Sequence, residues 1–204
     1  MVEASRETRF TFRKLAQRIR VPAGFILAPL LIIAGRPTGI SLIAGAALAL
    51  IGLTIRAWAS GHLRKNQELC IAGPYAYTRN PLYFGTFIMA TGIAVATGSL
   101  WFVALFIAVY LLIYVPVMAA EAEYMQELFP DEYEVYSRQV PLMFPRLTPY
   151  KPSKAVNQAA SQDGLSNANR GFDLSLYLRH REYRAAIGIA FVMALLAARY
   201  FFRI

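Results

Sequence analysis

From Leu82 to Ala119 the chain carries no charged residue. A helix needs about 20 residues to cross the roughly 30 Å of bilayer hydrocarbon, so these 38 residues are too many for one crossing and suit two. Inside lipid every backbone N–H and C=O must find a partner within its own segment, which makes both crossings helical. Thr97-Gly98-Ser99 is the natural turn between them, giving a transmembrane hairpin over 82–119. Composition agrees, since only 16% of residues are charged and 57% are hydrophobic, against about a quarter charged in a soluble domain.

Three further stretches read as spans. Pro22–Gly35 is apolar but short, Gly39–Ala59 is rich in glycine and alanine, and Ala185–Phe202 closes the chain. Arg56, near the end of the second span, is placed to snorkel toward the interface. Pro116 should kink the second arm of the hairpin. The expected fold class is therefore all-α, a polytopic membrane protein of about five transmembrane helices. Its segments are a basic interfacial stretch (1–21), an N-terminal hairpin (22–59), a central region (60–147), a linker with an interfacial helix (148–184) and a last span (185–204).

Basic residues set the orientation, because Lys and Arg accumulate on the cytoplasmic side. Residues 1–21 hold six of them against Glu3 and Glu7, and most of the rest fall in Ser60–Pro81 and Glu121–Arg184. The N-terminus and both polar segments then face the cytoplasm, in the inner membrane if the protein is bacterial. The net charge of +9 is what anionic lipid selects beside spans, and does not call for nucleic acid. Cys70 is the only cysteine, so no internal disulfide can form. It and two distant histidines offer no metal site of ordinary spacing. No GxGxxG loop follows a strand, so a soluble-type dinucleotide domain is not expected. The run Ser153–Asn169 reads as a linker, and Phe172–Tyr183 as a segment lying along the membrane.

Polar chemistry concentrates on either side of the hairpin. Before it come Gly61-His62-Leu63-Arg64-Lys65, then Leu69, then Gly73-Pro74-Tyr75-Ala76-Tyr77-Thr78-Arg79-Asn80-Pro81-Leu82-Tyr83. Asn80 precedes a proline, which biases it away from helix and should leave its amide available. After the hairpin come Glu121-Ala122-Glu123, Asp131-Glu132-Tyr133-Glu134-Val135-Tyr136 and Val140-Pro141. Tyr133 and Tyr136 share a helix face by their spacing. A carboxylate at the membrane boundary, such as Glu121, needs a partner. Two readings are open at this level. The aromatic and basic residues form a membrane-interface belt, with Glu121 paired to Arg79 or Lys65, or they bind a ligand.

The order Gly-Pro-Tyr-x-Tyr-x-Arg-Asn-Pro-x-Tyr, hairpin, Glu, Asp-Glu-Tyr-x-x-Tyr and Val-Pro resembles the isoprenylcysteine carboxyl methyltransferase and phospholipid methyltransferase family of integral membrane enzymes. The resemblance covers about Gly61 to Pro145. The family's usual Arg-His-Pro-x-Tyr stands here as Arg79-Asn80-Pro81-Leu82-Tyr83, its paired glutamates as Glu121-Ala122, and a frequent histidine as Gln67.

The resemblance implies S-adenosylmethionine as methyl donor, bound on the cytoplasmic side. It implies His62, Lys65, Leu69, Gly73, Tyr75 and Tyr77 as cofactor-binding residues, together with Arg79, Asn80, Pro81, Tyr83 and Glu121. Arg79 and Glu121 would also be catalytic. Arg79 can hold the donor's carboxylate with paired hydrogen bonds, and Glu121 can accept from its ribose hydroxyls or ammonium. Faces of Tyr75, Tyr77 and Tyr83 suit adenine or the sulfonium. The acceptor would be a lipid-soluble or lipidated molecule, an isoprenylcysteine-like carboxylate or a phospholipid amine, reached from the membrane lipid. A carboxylate acceptor needs no base, whereas an amine or thiol must lose a proton, for which His62 is the nearby histidine. Two other functions fit the same frame: a non-catalytic membrane scaffold or binder, and a membrane reductase of related architecture.

Overall fold

A computed structural model describes residues 34–64, 69–152 and 171–202. The basic N-terminal stretch, almost all of the first expected span, Lys65 and the linker Ser153–Asn169 lie outside the described residues. Those that are described form helices and loops, with no strand among them. We number the helices α1 (Gly39–Ser60), α2 (Pro81–Ala96), α3 (Leu100–Leu128), α4 (Pro130–Gln139), α5 (Leu174–His180) and α6 (Tyr183–Phe202). A 3₁₀ turn, Gly73–Ala76, precedes α2.

The chain is a polytopic membrane protein. Helices α1, α3 and α6 are long and apolar enough to cross a bilayer, with mean hydropathies of 2.0, 2.5 and 2.0, and α2 is a shorter apolar helix. No more than 17% of each apolar window is buried, so most of these side chains face outward and require a lipid solvent. The hairpin turn falls where expected, with α2 ending at Ala96 and α3 starting at Leu100. Pro116 lies inside α3, which continues through it to Leu128. At 1.5 Å per residue this helix is about 43 Å long, so its last turns extend past the hydrocarbon.

Two compact units emerge from the packing, one built from 34–49, 90–122 and 189–202, the other from 50–64, 69–89, 123–152 and 171–188. In the first, small residues bring α1 and α2 backbone to backbone. A Cβ added to Gly45 would lie 2.6 Å from the Ala96 Cβ, and one on Gly92 would lie 2.6 Å from the Ala49 nitrogen. This is how helices associate in lipid, where water drives nothing together and close van der Waals contact must suffice. The Arg36 N–H donates to the Thr97 carbonyl at 2.7 Å, and the Arg199 Nε–H to Gly35 at 3.0 Å. Tyr110 and Tyr114 stack at 4.2 Å along α3.

The second unit carries the polar stretches. Arg56, near the end of α1, is held by a partner from the turn before α6. Its guanidinium forks onto Glu182, with Nε and Nη2 each 2.9 Å from a carboxylate oxygen. Nη1 also donates to the Leu82 carbonyl and the Thr86 hydroxyl. Both side chains of the pair are largely buried, 20% and 13% exposed. Such a bidentate pair is among the stronger charge-assisted contacts. Asp173 caps α5 by accepting from Ser175, through its N–H at 2.8 Å and its hydroxyl at 2.6 Å. Those bonds hold the Asp173 carboxyl below its ordinary value.

Candidate functional site

The segment between Cys70 and Pro81 folds on itself and is then sewn to the loop after α4. Gly73 sits at φ +57, and a Cβ there would meet the His62 ring at 2.7 Å, so glycine is required both by backbone and by space. Pro74 follows at the second position of the 3₁₀ turn, still within the first turn, where its missing N–H has nothing to lose. The Tyr75 ring is buried with Ala59 and Cys70, and Leu63 and Leu82 pack against that cluster. Three backbone bonds then tie the segment to the loop: Arg79 N–H to Pro141 (3.0 Å), Arg146 N–H to Tyr77 (3.0 Å) and Tyr150 N–H to Ala76 (2.8 Å). Side chains add three more. Thr78 donates to Met143 at 2.8 Å, Asn80 Nδ2 to Leu142 at 2.9 Å, and the Tyr136 hydroxyl to the Tyr75 carbonyl at 2.7 Å.

This stitching fixes Arg79. Its Nη1 donates to the Tyr133 hydroxyl at 3.1 Å, and its Cζ stands 5.8 Å from the centre of the Tyr133 ring. Its Nε is shut away from solvent and has no hydrogen-bond partner among the described residues. An unsatisfied buried donor is destabilising by about 1–3 kcal/mol, more when it belongs to a charged group. Since Nη1 is already engaged, the guanidinium edge formed by Nε and Nη2 remains. That side-on edge matches the two oxygens of a carboxylate. Tyr133 and Tyr136 line the buried face of α4. Burial raises the Tyr136 phenol well above its ordinary 10.0.

His62 stands on the other side of Gly73. Its Nδ1 is 2.9 Å from the Trp58 carbonyl. A carbonyl only accepts, so Nδ1 carries the hydrogen and the neutral ring presents Nε2 as an acceptor. Trp58 and Phe172 meet the ring edge-on at 6.3 and 6.4 Å, and Tyr77 lies 6.3 Å from Trp58. The Asp173 N–H donates to Gly61 at 2.9 Å, which brings Phe172 alongside.

The expected site residues separate accordingly. Arg79, Asn80, Gly73, Tyr75, Tyr77 and His62 fall in one unit, on one folded segment and the end of α1. Leu69 and Pro81 are buried, and Tyr83 is half-buried on α2. Asn80 Nδ2 donates to the Leu142 carbonyl, which uses one of the amide's hydrogen-bonding positions. The Tyr75 ring packs in the core. Glu121 is exposed on α3, in the first unit. Its pairing with Arg79 or Lys65 rests on sequence alone. Sequence reading passed over Tyr133 as the partner of Arg79, though its spacing from Tyr136 had marked the face. It also passed over Trp58, Phe172 and the 141–143 carbonyls. Among the described residues no group of three His, Cys, Asp or Glu side chains is placed to hold a metal ion.

Residues 25–132 match the profile of a family described as phospholipid methyltransferase, over half of the chain. The chain belongs to the phospholipid methyltransferase family. Within the family's matched region lie Arg79, His62 and Glu121, whereas the clamping loop after α4 falls beyond it. The chain is 34% identical over 109 residues to a cobalt-zinc-cadmium resistance protein of Cupriavidus metallidurans, covering 52% of this chain and 49% of that one. It is 32% identical, with the same coverage, to a nickel-cobalt-cadmium resistance protein of Alcaligenes xylosoxydans xylosoxydans. A protein-S-isoprenylcysteine O-methyltransferase of Schizosaccharomyces pombe is 35% identical over 81 residues, 40% of this chain and 34% of that one. The match thus spans about half the length of the first two relatives and a third of the last. No solved structure matches.

Proposed function

We propose that this protein is an S-adenosylmethionine-dependent methyltransferase of the membrane, acting on a lipid-soluble or amphiphilic acceptor, with its N-terminus and its site on the cytoplasmic side. The observation that carries the reading is Arg79, a half-buried arginine whose Nε is shut away from solvent without a partner among the described residues and whose Nη1 is fixed by Tyr133. Membership of a family named for methyl transfer to phospholipid supports it.

S-adenosylmethionine would supply a methyl group on a sulfonium, which needs no metal or covalent enzyme intermediate to leave. The protein's part is to align and to exclude water. Arg79 offers the Nε–Nη2 edge to the donor's carboxylate, and Tyr133 holds the guanidinium against rotation. Because Nε is shut away from solvent, that edge opens only when a neighbouring side chain moves. Tyr77 remains an aromatic face for the donor, while Tyr75 and Asn80 act by holding the segment in shape. Glu121 is assigned to the donor's ammonium or ribose by family resemblance. Where the acceptor is an amine or thiol, the His62 Nε2 lone pair can take its proton. For a carboxylate acceptor the same nitrogen has only to accept a hydrogen bond.

A second reading, a non-catalytic binder on the same frame, draws on Asn80. The titratable histidine usual at this position is replaced by an amide spent on a backbone carbonyl. Incubating the protein in host lipid with methyl-labelled S-adenosylmethionine separates the two. Label should enter one lipid-extractable product with the unmutated protein and not with Arg79→Ala. Binding of the donor without labelled product in host lipid would favour the binder.

A further inference from the structure

The loop that clamps Arg79 has an outer side with no role in that clamp. Leu147 is 98% exposed and Phe144 58% exposed. Phe144 nevertheless has neighbours on one edge, the rings of Phe84 and Phe87 at 6.3 and 6.2 Å. Those two rings belong to the first two turns of α2, about 5 and 9 Å along the helix from Pro81. With 16 residues, α2 is about 24 Å long, short of the roughly 30 Å of hydrocarbon. A helix that short draws its ends, and whatever packs on its first turns, toward the apolar layer.

The loop is built for such a place. Pro141, Pro145 and Pro149 have no N–H to satisfy. The Arg146 and Tyr150 N–H groups are given to Tyr77 and Ala76, and Val140 N–H to Tyr136. The carbonyls of Pro141, Leu142 and Met143 accept from Arg79, Asn80 and Thr78. These backbone groups are turned inward, with the Val140 and Met143 side chains buried beside them, while Phe144 and Leu147 stand outward. The loop's only charge is Arg146. Its guanidinium is folded back along the chain, donating to the Gln139 carbonyl at 3.0 Å and the Thr148 hydroxyl at 3.2 Å. Non-helical backbone at membrane depth is tolerated only when its polar groups are satisfied in this way.

We propose that the Val140–Pro149 loop is seated in the bilayer interface, with Phe144 and Leu147 inserted among the lipids beside the start of α2. Bulk lipid is the occupant, because the apolar patch continues from a helix in the membrane. Seated there, the lipid surface braces the outer side of the clamp that fixes Arg79. This inference is independent of the methyltransferase reading, since it rests on exposure, ring contacts, helix length and backbone pairing.

A label on Leu147→Cys, in a Cys70→Ala background, tests it in vesicles of phosphatidylcholine and phosphatidylglycerol. A parallel sample keeps Cys70, which is buried, so that loss of folding in the background variant does not decide the result. Glu134→Cys, on the exposed side of α4, serves as the aqueous control. The label at 147 should emit to the blue of the one at 134. It should be quenched by lipids spin-labelled near the head group, and be several-fold less sensitive to aqueous iodide. Iodide quenching equal to that at 134 would place the loop in water and overturn the proposal. Shielding from both iodide and spin-labelled lipid would overturn it as well, by showing that protein covers the patch.

Discussion

Tyr136 and Arg79 pose opposite electrostatic problems to the same small region. The Tyr136 hydroxyl is buried and satisfied by the Tyr75 carbonyl, so the neutral phenol is the form that fits. Its pKa is raised chiefly by desolvation. Folding therefore favours its protonated form, and stability from this residue is complete below the unfolded value of 10.0 and declines as pH rises above it. Tyr136→Phe should lower unfolding free energy by about 1–3 kcal/mol near neutrality, because the Tyr75 carbonyl loses its donor. Denaturant titrations below and above pH 10.0 should show the gap between variant and parent narrowing at the alkaline end. A gap that stays constant or widens would mean that the phenol is not held neutral by the fold. From the sequence, Tyr75 is expected at the donor through the family resemblance, and Tyr133 is marked only by the helix face it shares with Tyr136. Which ring is core and which hydroxyl faces Arg79 depends on how α4 returns to the segment, and residue type does not encode that.

At the scale of elements, the Arg56–Glu182 pair joins the end of α1 to the turn between α5 and α6. It stands 126 residues apart in sequence, too far for any local pattern to reveal. Breaking one member leaves the other largely buried and unpaired, and this is destabilising by about 3–5 kcal/mol. Arg56→Met and Glu182→Gln should each lower thermal stability in lipid by this order, with the double variant recovering part of the loss. Additive losses in the double variant would contradict a direct pair. Other elements were legible. The Thr97–Ser99 turn followed from the glycine flanked on both sides by hydroxyl residues in a charge-free run, and α6 from its apolar length. In the clamping loop the sequence displays prolines and apolar side chains. Its backbone carbonyls, which do the holding, have no signature in side-chain chemistry.

The whole molecule was the most legible level, because the bilayer imposes the coarsest constraint. Charge-free length, short polar turns and clusters of basic residues predict a helical membrane protein, and three helices of spanning length with a shorter fourth stand among the described residues. Function was legible as a family and less so as a site. The Arg79 segment assembles in one unit, while Glu121 belongs to the other. The central claim is that this frame binds S-adenosylmethionine through Arg79. Calorimetric titration of lipid-embedded protein with the demethylated product, S-adenosylhomocysteine, tests it most directly. The account predicts saturable binding that weakens about tenfold or more in Arg79→Ala, the loss of a charge-assisted hydrogen bond of about 1.5–3 kcal/mol. No binding by the unmutated protein, or equal binding by the variant, would contradict it.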